Sequence, residues 1–363
     1  MKLLYITNGI NGAGGLERVL SIKASYLVDV LNYEVHIITL NNGDASPFYE
    51  FSSKIKYHDI KVFGNPIRYF QRYQSGINAV VKQIRPDVIA VCDDGLKGFF
   101  LPILIKKKMP IVYERHVSKE IELHENHSFL KRLLVRSKFE IMHFLGSKFD
   151  KFIVLTNDNL IEWKLSNLEV ISNPLTFYPQ NSSTLSNKKV IAVGKHGYQK
   201  GYDRLLQSWS LVHKLHPDWE LSIYGKMDID ETAVKLAVTL DISSSVRFFA
   251  PEKNIKDKFL ESTIFVFPSR FEGFGMVLIE AMACGLPAVS YDCPCGPKDI
   301  IDSEIDGFLV ENGNIEKFAQ KIIDLIEDKN LRIQIGNTAK ENVKRYLPQY
   351  IMPKWDQLFK SLQ

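Results

Sequence analysis

The stretch "KLLYITNGINGAGGLERVLSIKASYLVDVLNYEVHIITL", Lys2 to Leu40, sets the architecture. It opens with the apolar run "KLLYIT" and passes through a glycine-bearing turn. The next segment places Leu16, Val19, Leu20, Ala24, Leu27, Val28 and Leu31 on one helical face, and a second apolar run, "YEVHIITL", follows. Strand, turn, helix, strand is the opening of a parallel sheet with right-handed crossovers. The pattern recurs in "DVIAVC" from Asp87, "PIVYE" from Pro110 and "KFIVLT" from Lys151, short β-rich runs suited to burial on both faces. From Ser172 to Asn187, "SNPLTFYPQNSSTLSN" loses all periodicity and reads as a linker. The grammar then restarts with "KVIAVG", "ELSIYG", "VRFFA", "STIFVFPS" and "PAVSYD". The expected fold is α/β, two doubly wound parallel-sheet domains in series, with ligands beyond the carboxyl ends of the strands.

Composition is consistent with two properly cored domains: 363 residues, 45% of them hydrophobic. The net charge of +4, from 46 basic and 42 acidic residues, is too small for a nucleic-acid binder. Up to Asp150 the chain holds 21 basic and 15 acidic residues, so the positive surplus lies in the first half. Cys92, Cys284, Cys293 and Cys295 form no disulfide framework, and a reducing cytoplasm is the simpler expectation. The Cys293-Pro294-Cys295 spacing differs from that of common zinc sites. The longest apolar run, "FFLPILI", is far short of a bilayer span, which predicts a soluble or peripheral protein.

Several residues could carry chemistry. In "NGAGGLERV", Gly12, Gly14 and Gly15 stand between a strand and a helix start, where backbone amides can approach an anion. A plain tight turn is the alternative. The pattern is not G-x-G-x-x-G, and "TLNNG" offers no early acid for a ribose, which argues against NAD. "VGKHGYQKGYDRLL" sets Lys195 and Lys200 on one short loop, able to neutralise a departing diphosphate. His116 ends "PIVYERH" at a strand's carboxyl end, where a histidine taken alone is more often structural. Asp228 and Asp230 spell D-x-D but precede a helix, whose positive end they suit better than a metal.

In "RFEGFGMVLIEAMACG", Arg270 to Gly285, a glycine-bearing turn leads into a helix whose first amides, from Phe274 to Val277, lack intrahelical partners. Glu272 can accept from ligand hydroxyls there. Glu280 lies inside the helix, where a buried carboxylate without donors costs several kcal/mol. A ribose diol would supply two donors; a salt bridge is the other possibility.

With these residues in place, the chain resembles the retaining nucleotide-sugar glycosyltransferases of family 4, which have the GT-B fold, two Rossmann-like domains facing across a cleft. The resemblance covers nearly the whole chain and is carried by the E-x7-E pair Glu272 and Glu280, by "GGLERV" and by "QKGYD". It implies an acceptor-side domain over 1–172, a linker over 173–187, a donor-binding domain over 188–345 and a terminal helix over 346–363 packed on the first domain. It implies that Gly14 and Gly15 lie near the donor diphosphate and that Lys195 and Lys200 bind it. It also puts Glu272 on sugar hydroxyls, Phe274, Gly275, Met276 and Val277 at sugar and phosphate, Glu280 on the ribose, and His116 beside the reacting sugar. Glu252 and Asn254 would contact the base. Lys195 stands where the family usually has arginine, which keeps the charge and loses the bidentate fork.

The implied chemistry is metal-independent transfer with retention, the departing phosphate oxygen helping to take the acceptor proton. A nucleotide-sugar 2-epimerase and an inactive nucleotide-sugar binder are the rival classes. "YDCPCGPKDIIDSEIDGFLV" is similar to members that add hexoses or N-acetylhexosamines in bacterial polysaccharide or lipid-linked oligosaccharide assembly. The expected donor is a UDP-sugar, and the expected acceptor is a glycan or a polyprenyl-diphosphate-linked saccharide. Lys106 to Lys108, Lys131, Arg132, Arg136 and Lys138 beside large apolar residues suit either an anionic membrane surface or a core-facing helix with a solvated basic side.

Overall fold

The computed structural model describes residues 1–12, 14–43, 45–106, 108–119 and 128–363. It divides into two units, Met1–Thr176 with Pro348–Gln363, and Phe177–Leu347.

The first unit contains β1 (Lys2–Thr7), α1 (Gly15–Asp29), β2 (Glu34–Leu40), β3 (Lys56–Ile60), α2 (Pro66–Ile84), β4 (Val88–Cys92), α3 (Leu96–Phe99) and α4 (Leu101–Leu104). It continues through β5 (Ile111–Glu114), α5 (Phe129–Gly146), β6 (Lys151–Val154), α6 (Asn157–Trp163) and β7 (Leu168–Val170). The strands form one parallel sheet in the order β3-β2-β1-β4-β5-β6-β7. β1 lies between β2 and β4, with Thr7 level with Cys92, so the loops after β1 and β4 are neighbours where the winding reverses.

The second unit runs β8 (Lys189–Val193), α7 (Tyr202–Leu215), β9 (Glu220–Tyr224), α8 (Thr232–Thr239), β10 (Val246–Phe249), α9 (Ile255–Leu260) and β11 (Ile264–Phe267). α10 (Met276–Ala283), β12 (Ala288–Asp292), α11 (Pro297–Ile300), β13 (Phe308–Glu311), α12 (Ile315–Glu327) and α13 (Lys329–Asn342) complete it. Its parallel sheet has the order β10-β9-β8-β11-β12-β13. Here the winding reverses between β8 and β11, which sets the loops 194–201 and 268–275 side by side.

All ten strand runs read from the sequence are present. The structure adds β3, β7 and β13, each at a sheet edge. Edge strands are solvated on one side, so the runs "KYHDI", "LEV" and "FLVE" lack the continuous apolar character of the interior strands.

The final helix, α14 (Pro348–Ser361), packs against α1 in the first unit. Tyr33 Oη donates to Asp356 Oδ1 at 2.6 Å, and the Lys23 ammonium lies 3.3 Å from the Trp355 ring centroid. Residues of the stretch read as a linker are tied into the second unit: the Ser183 amide donates to the Cys284 carbonyl, and Lys340 Nζ to the Gln180 carbonyl.

Candidate active site

In the second unit the reversal of winding brings Lys200 to Glu272. A 3₁₀ turn, Tyr198–Lys200, follows β8, and Gly201 (φ 63°) then starts α7. A Cβ on Gly201 would collide with the Pro268 carbonyl, so the Lys200-Gly201 pair is held tight against the loop after β11. Lys200 Nζ donates to Glu272 Oε1 at 2.6 Å, and Ser269 Oγ donates to the same oxygen at 2.6 Å. Glu272 is largely buried, while Lys200 keeps part of its ammonium exposed. The arrangement sets a cation and a carboxylate side by side, groups that complement an anion and a hydroxyl donor respectively.

Two devices fix this pair. Arg270 bridges the loops: its amide donates to the Gln199 carbonyl, Nη1 donates to the Tyr198 carbonyl, and the guanidinium forks onto Asp203 at 2.8 and 2.6 Å. Below, the Cys293–Gly296 loop accepts the Glu272 amide at the Pro294 carbonyl, and Gly296 leaves room for the Phe274 carbonyl, which any Cβ there would strike. Burial, then the Glu272 charge, pushes the Cys293 thiol up. Gly275 (φ 108°) begins α10, with no side chain capping it, and Met276 and Val277 at its first turn are half-buried. The amides of that turn are positioned for an anion.

The other predicted residues of this unit fall differently. Lys195 is exposed and forms no ion pair among the described residues. Glu280 lies within α10 and is fully buried. Glu252 and Asn254 are exposed and form a self-contained turn: Glu252 accepts from the Asn254 amide, and Asn254 Nδ2 donates to Asp257. Asp228 accepts from the Thr232 amide at the start of α8, the helix-end use of D-x-D.

In the first unit, His116 stands beyond β5 in a polar cluster at the strand ends. Its Nε2 is 3.3 Å from Glu114 Oε2, and its amide donates to Asp94 Oδ1 at 3.0 Å. Asp93 accepts from Asn8 Nδ2 and the Gly95 amide, and burial pushes its carboxyl up. Gly14 starts α1 and Gly15 follows it, both exposed. The Glu17 carboxylate folds back over Gly12 and Gly14, where a side chain would collide with it. A negative charge thus already occupies the positive end of α1. Of the basic run Lys106 to Lys108, Lys107 lies outside the described residues.

The sequence did not single out Lys23, Glu114, Ser269, Arg270 or Asp203. Lys23 carried a signal: it interrupts the apolar stripe of α1 between Leu20 and Leu27, and it is buried at 1% exposure. Glu114 ends a strand that is buried throughout. The two meet, Lys23 Nζ to Glu114 Oε2, at 2.5 Å. Burial pushes the Glu114 carboxyl up, but Lys23 and then His116 outweigh it and hold it down at about 2. His196, between the two predicted lysines, is also buried and makes no hydrogen bond through either ring nitrogen among the described residues; burial pushes its pKa down.

The chain as a whole has counterparts among known proteins. Residues 177–342 match the family described as glycosyl transferases group 1. The chain is 30% identical over 361 residues to an uncharacterized glycosyltransferase of Haemophilus influenzae, covering 98% of each chain. It is 29% identical over 371 residues to the amylovoran biosynthesis glycosyltransferase AmsD of Erwinia amylovora, covering 98% of this chain and 99% of that one. In three dimensions it superposes on Anabaena Alr3699/HepE, solved in complex with UDP, with a TM-score of 0.80 over the whole of both chains at 18% identity. The chain belongs to the glycosyl transferases group 1 family, retaining enzymes with the GT-B fold.

Proposed function

We propose that this enzyme moves a hexose or N-acetylhexosamine from a UDP-sugar, with retention, to a glycan or lipid-linked saccharide acceptor in bacterial cell-surface polysaccharide assembly. The observation that carries it is the Lys200–Glu272–Ser269 constellation where the loops after β8 and β11 meet. Lys200 receives the diphosphate as it leaves, Glu272 the hydroxyls of the transferring sugar, and the first amides of α10 the phosphate oxygens. Glu280 serves the ribose and His116 the reacting sugar. The amylovoran enzyme and the UDP-bound HepE support the acceptor class and the nucleotide. The test is a donor screen scored by thermal protection, since a ligand at about 100 times its Kd adds about 2.7 kcal/mol to the native state. UDP-sugars are expected to protect most, and a GDP-sugar protecting better would overturn the assignment of the base.

We place the enzyme in the cytoplasm, on its four free cysteines, and at an anionic membrane surface through α5. No helix among the described residues is long and apolar enough to cross a membrane. α5 carries two apolar faces. Phe139, Met142 and Leu145 are buried, whereas Phe129, Leu130 and Leu134 are exposed at 79%, 71% and 70%, with Leu133, Ile141 and Phe144 beside them. At about 100° per residue the exposed set spans an arc of roughly 140° that excludes the core-facing residues. Lys131, Arg132 and Arg136 are exposed on the same helix, and such a basic, apolar surface complements anionic headgroups. Phosphatidylcholine vesicles containing phosphatidylglycerol are expected to sediment the enzyme, and added salt or a Leu130→Glu/Leu134→Glu change to release it. Equal binding to neutral vesicles, or a dimer that the double change dissolves, would count against the membrane.

A further inference from the structure

We propose that Lys23 and Glu114 act on the reaction through His116, holding its imidazole in one orientation and one tautomer, with the proton on Nε2. This rests on the reading that His116 meets the transferring sugar. Glu114 Oε2 takes two partners, Lys23 Nζ at 2.5 Å and His116 Nε2 at 3.3 Å. An ionised carboxylate only accepts, so the imidazole nitrogen facing it must carry the hydrogen, and in the neutral ring that leaves Nδ1 as the acceptor. The backbone is fixed as well: the His116 amide donates to Asp94 Oδ1, and Arg115 Nη1 to the Asp94 carbonyl. Ring and main chain are therefore both anchored by residues at the ends of β4 and β5.

The pair explains little as a device for stability. A Met at position 23 would fill the stripe of α1 without the desolvation that a buried ion pair incurs. Glu114 Oε1 is buried without a hydrogen-bond partner among the described residues, so the carboxylate is not optimised as a structural acceptor. Its one working oxygen points both partners the same way. Cys92, Glu114 and His116 bring ligand atoms within 4.8 Å of one another, but the Lys23 ammonium already neutralises Glu114 and would repel a cation there. The Trp355 face, 3.3 Å from Lys23 Nζ, closes the buried end of the chain. Lys23 and Glu114 are positioning residues: they shape His116 and leave contact with the substrate to it.

The experiment compares the full-length enzyme with Lys23→Met, Glu114→Gln, the double variant and His116→Ala. Three quantities are read: thermal midpoint, kcat, and the imidazole ¹⁵N shifts of His116, assigned by their loss in His116→Ala. The single variants lose thermal stability. The double variant, with both charges removed together, regains the midpoint but stays at least about tenfold down in kcat, because the ring is no longer oriented. Its His116 shifts move from the Nε2-protonated form to a tautomer mixture. Recovery of kcat together with the midpoint, or an unchanged tautomer in the double variant, overturns the proposal. Normal turnover in His116→Ala would instead remove the reading beneath it, whatever the shifts report.

Discussion

Lys200→Ala lowers kcat by about 10²–10³-fold with the fold intact, the effect of deleting one preorganised group that stabilises developing charge. The leaving diphosphate gains negative charge as the glycosidic bond lengthens, and under the proposed function Lys200 is the ammonium that meets it. Its stem crosses Gly194, where a Cβ would come within 2.9 Å of Lys200 Cε, so the side chain has one path to the site. Glu272 keeps its Ser269 donor when Lys200 is lost, which limits the cost to the fold. The measurement is initial velocity at saturating UDP-sugar alongside a thermal scan. A loss below about threefold, less than the 1.4 kcal/mol of a tenfold change, would remove Lys200 from the transition state. Lys195, exposed and without an ion pair among the described residues, is expected to matter less.

Lys23→Met destabilises the enzyme by about 3–5 kcal/mol, because it strands Glu114 as a buried charge. For a unit of this size the thermal midpoint falls on the order of 10 °C. The sign with pH follows from Glu114, whose carboxyl sits at about 2 in place of the ordinary 4.5. A lowered carboxyl adds stability that is complete above about pH 4.5 and is lost as pH falls toward 2. The gap between wild type and Lys23→Met is thus widest near neutrality. It narrows as pH falls, first as the stranded carboxyl of the variant, which burial pushes up, takes up a proton, and then as the wild-type carboxyl does so toward 2. Chemical unfolding at several pH values checks it, and a constant gap would show that Glu114 is not the group left stranded.

The doubly wound plan was legible because interior parallel strands are apolar on both faces, as "VIAVC" and "IFVF" are. The edge strands β3, β7 and β13 were not, since most of their residues are exposed or half-buried. At the site, Glu272 and Lys200 stood out as charges in glycine-bearing loops, but only the β8–β11 neighbourhood places them 2.6 Å apart. Arg270 was not singled out, and its fork joins the loop after β11 to Asp203 in the first turn of α7, 67 residues away in sequence. Lys23 and Glu114 broke the local pattern at positions 91 residues apart, and a lysine in an apolar stripe does not say which acid it will find. Sequence shows that a buried charge exists; topology chooses its partner.

The place of α14 has a consequence for synthesis. Trp355, which covers Lys23, leaves the ribosome long after Lys23 does. The unit spanning Phe177–Leu347 is continuous in the chain and can close while translation is still under way. The unit that pairs Met1–Thr176 with Pro348–Gln363 must wait, its buried ammonium uncovered, until α14 has been made. Assembly then finishes in the unit that was started before the other.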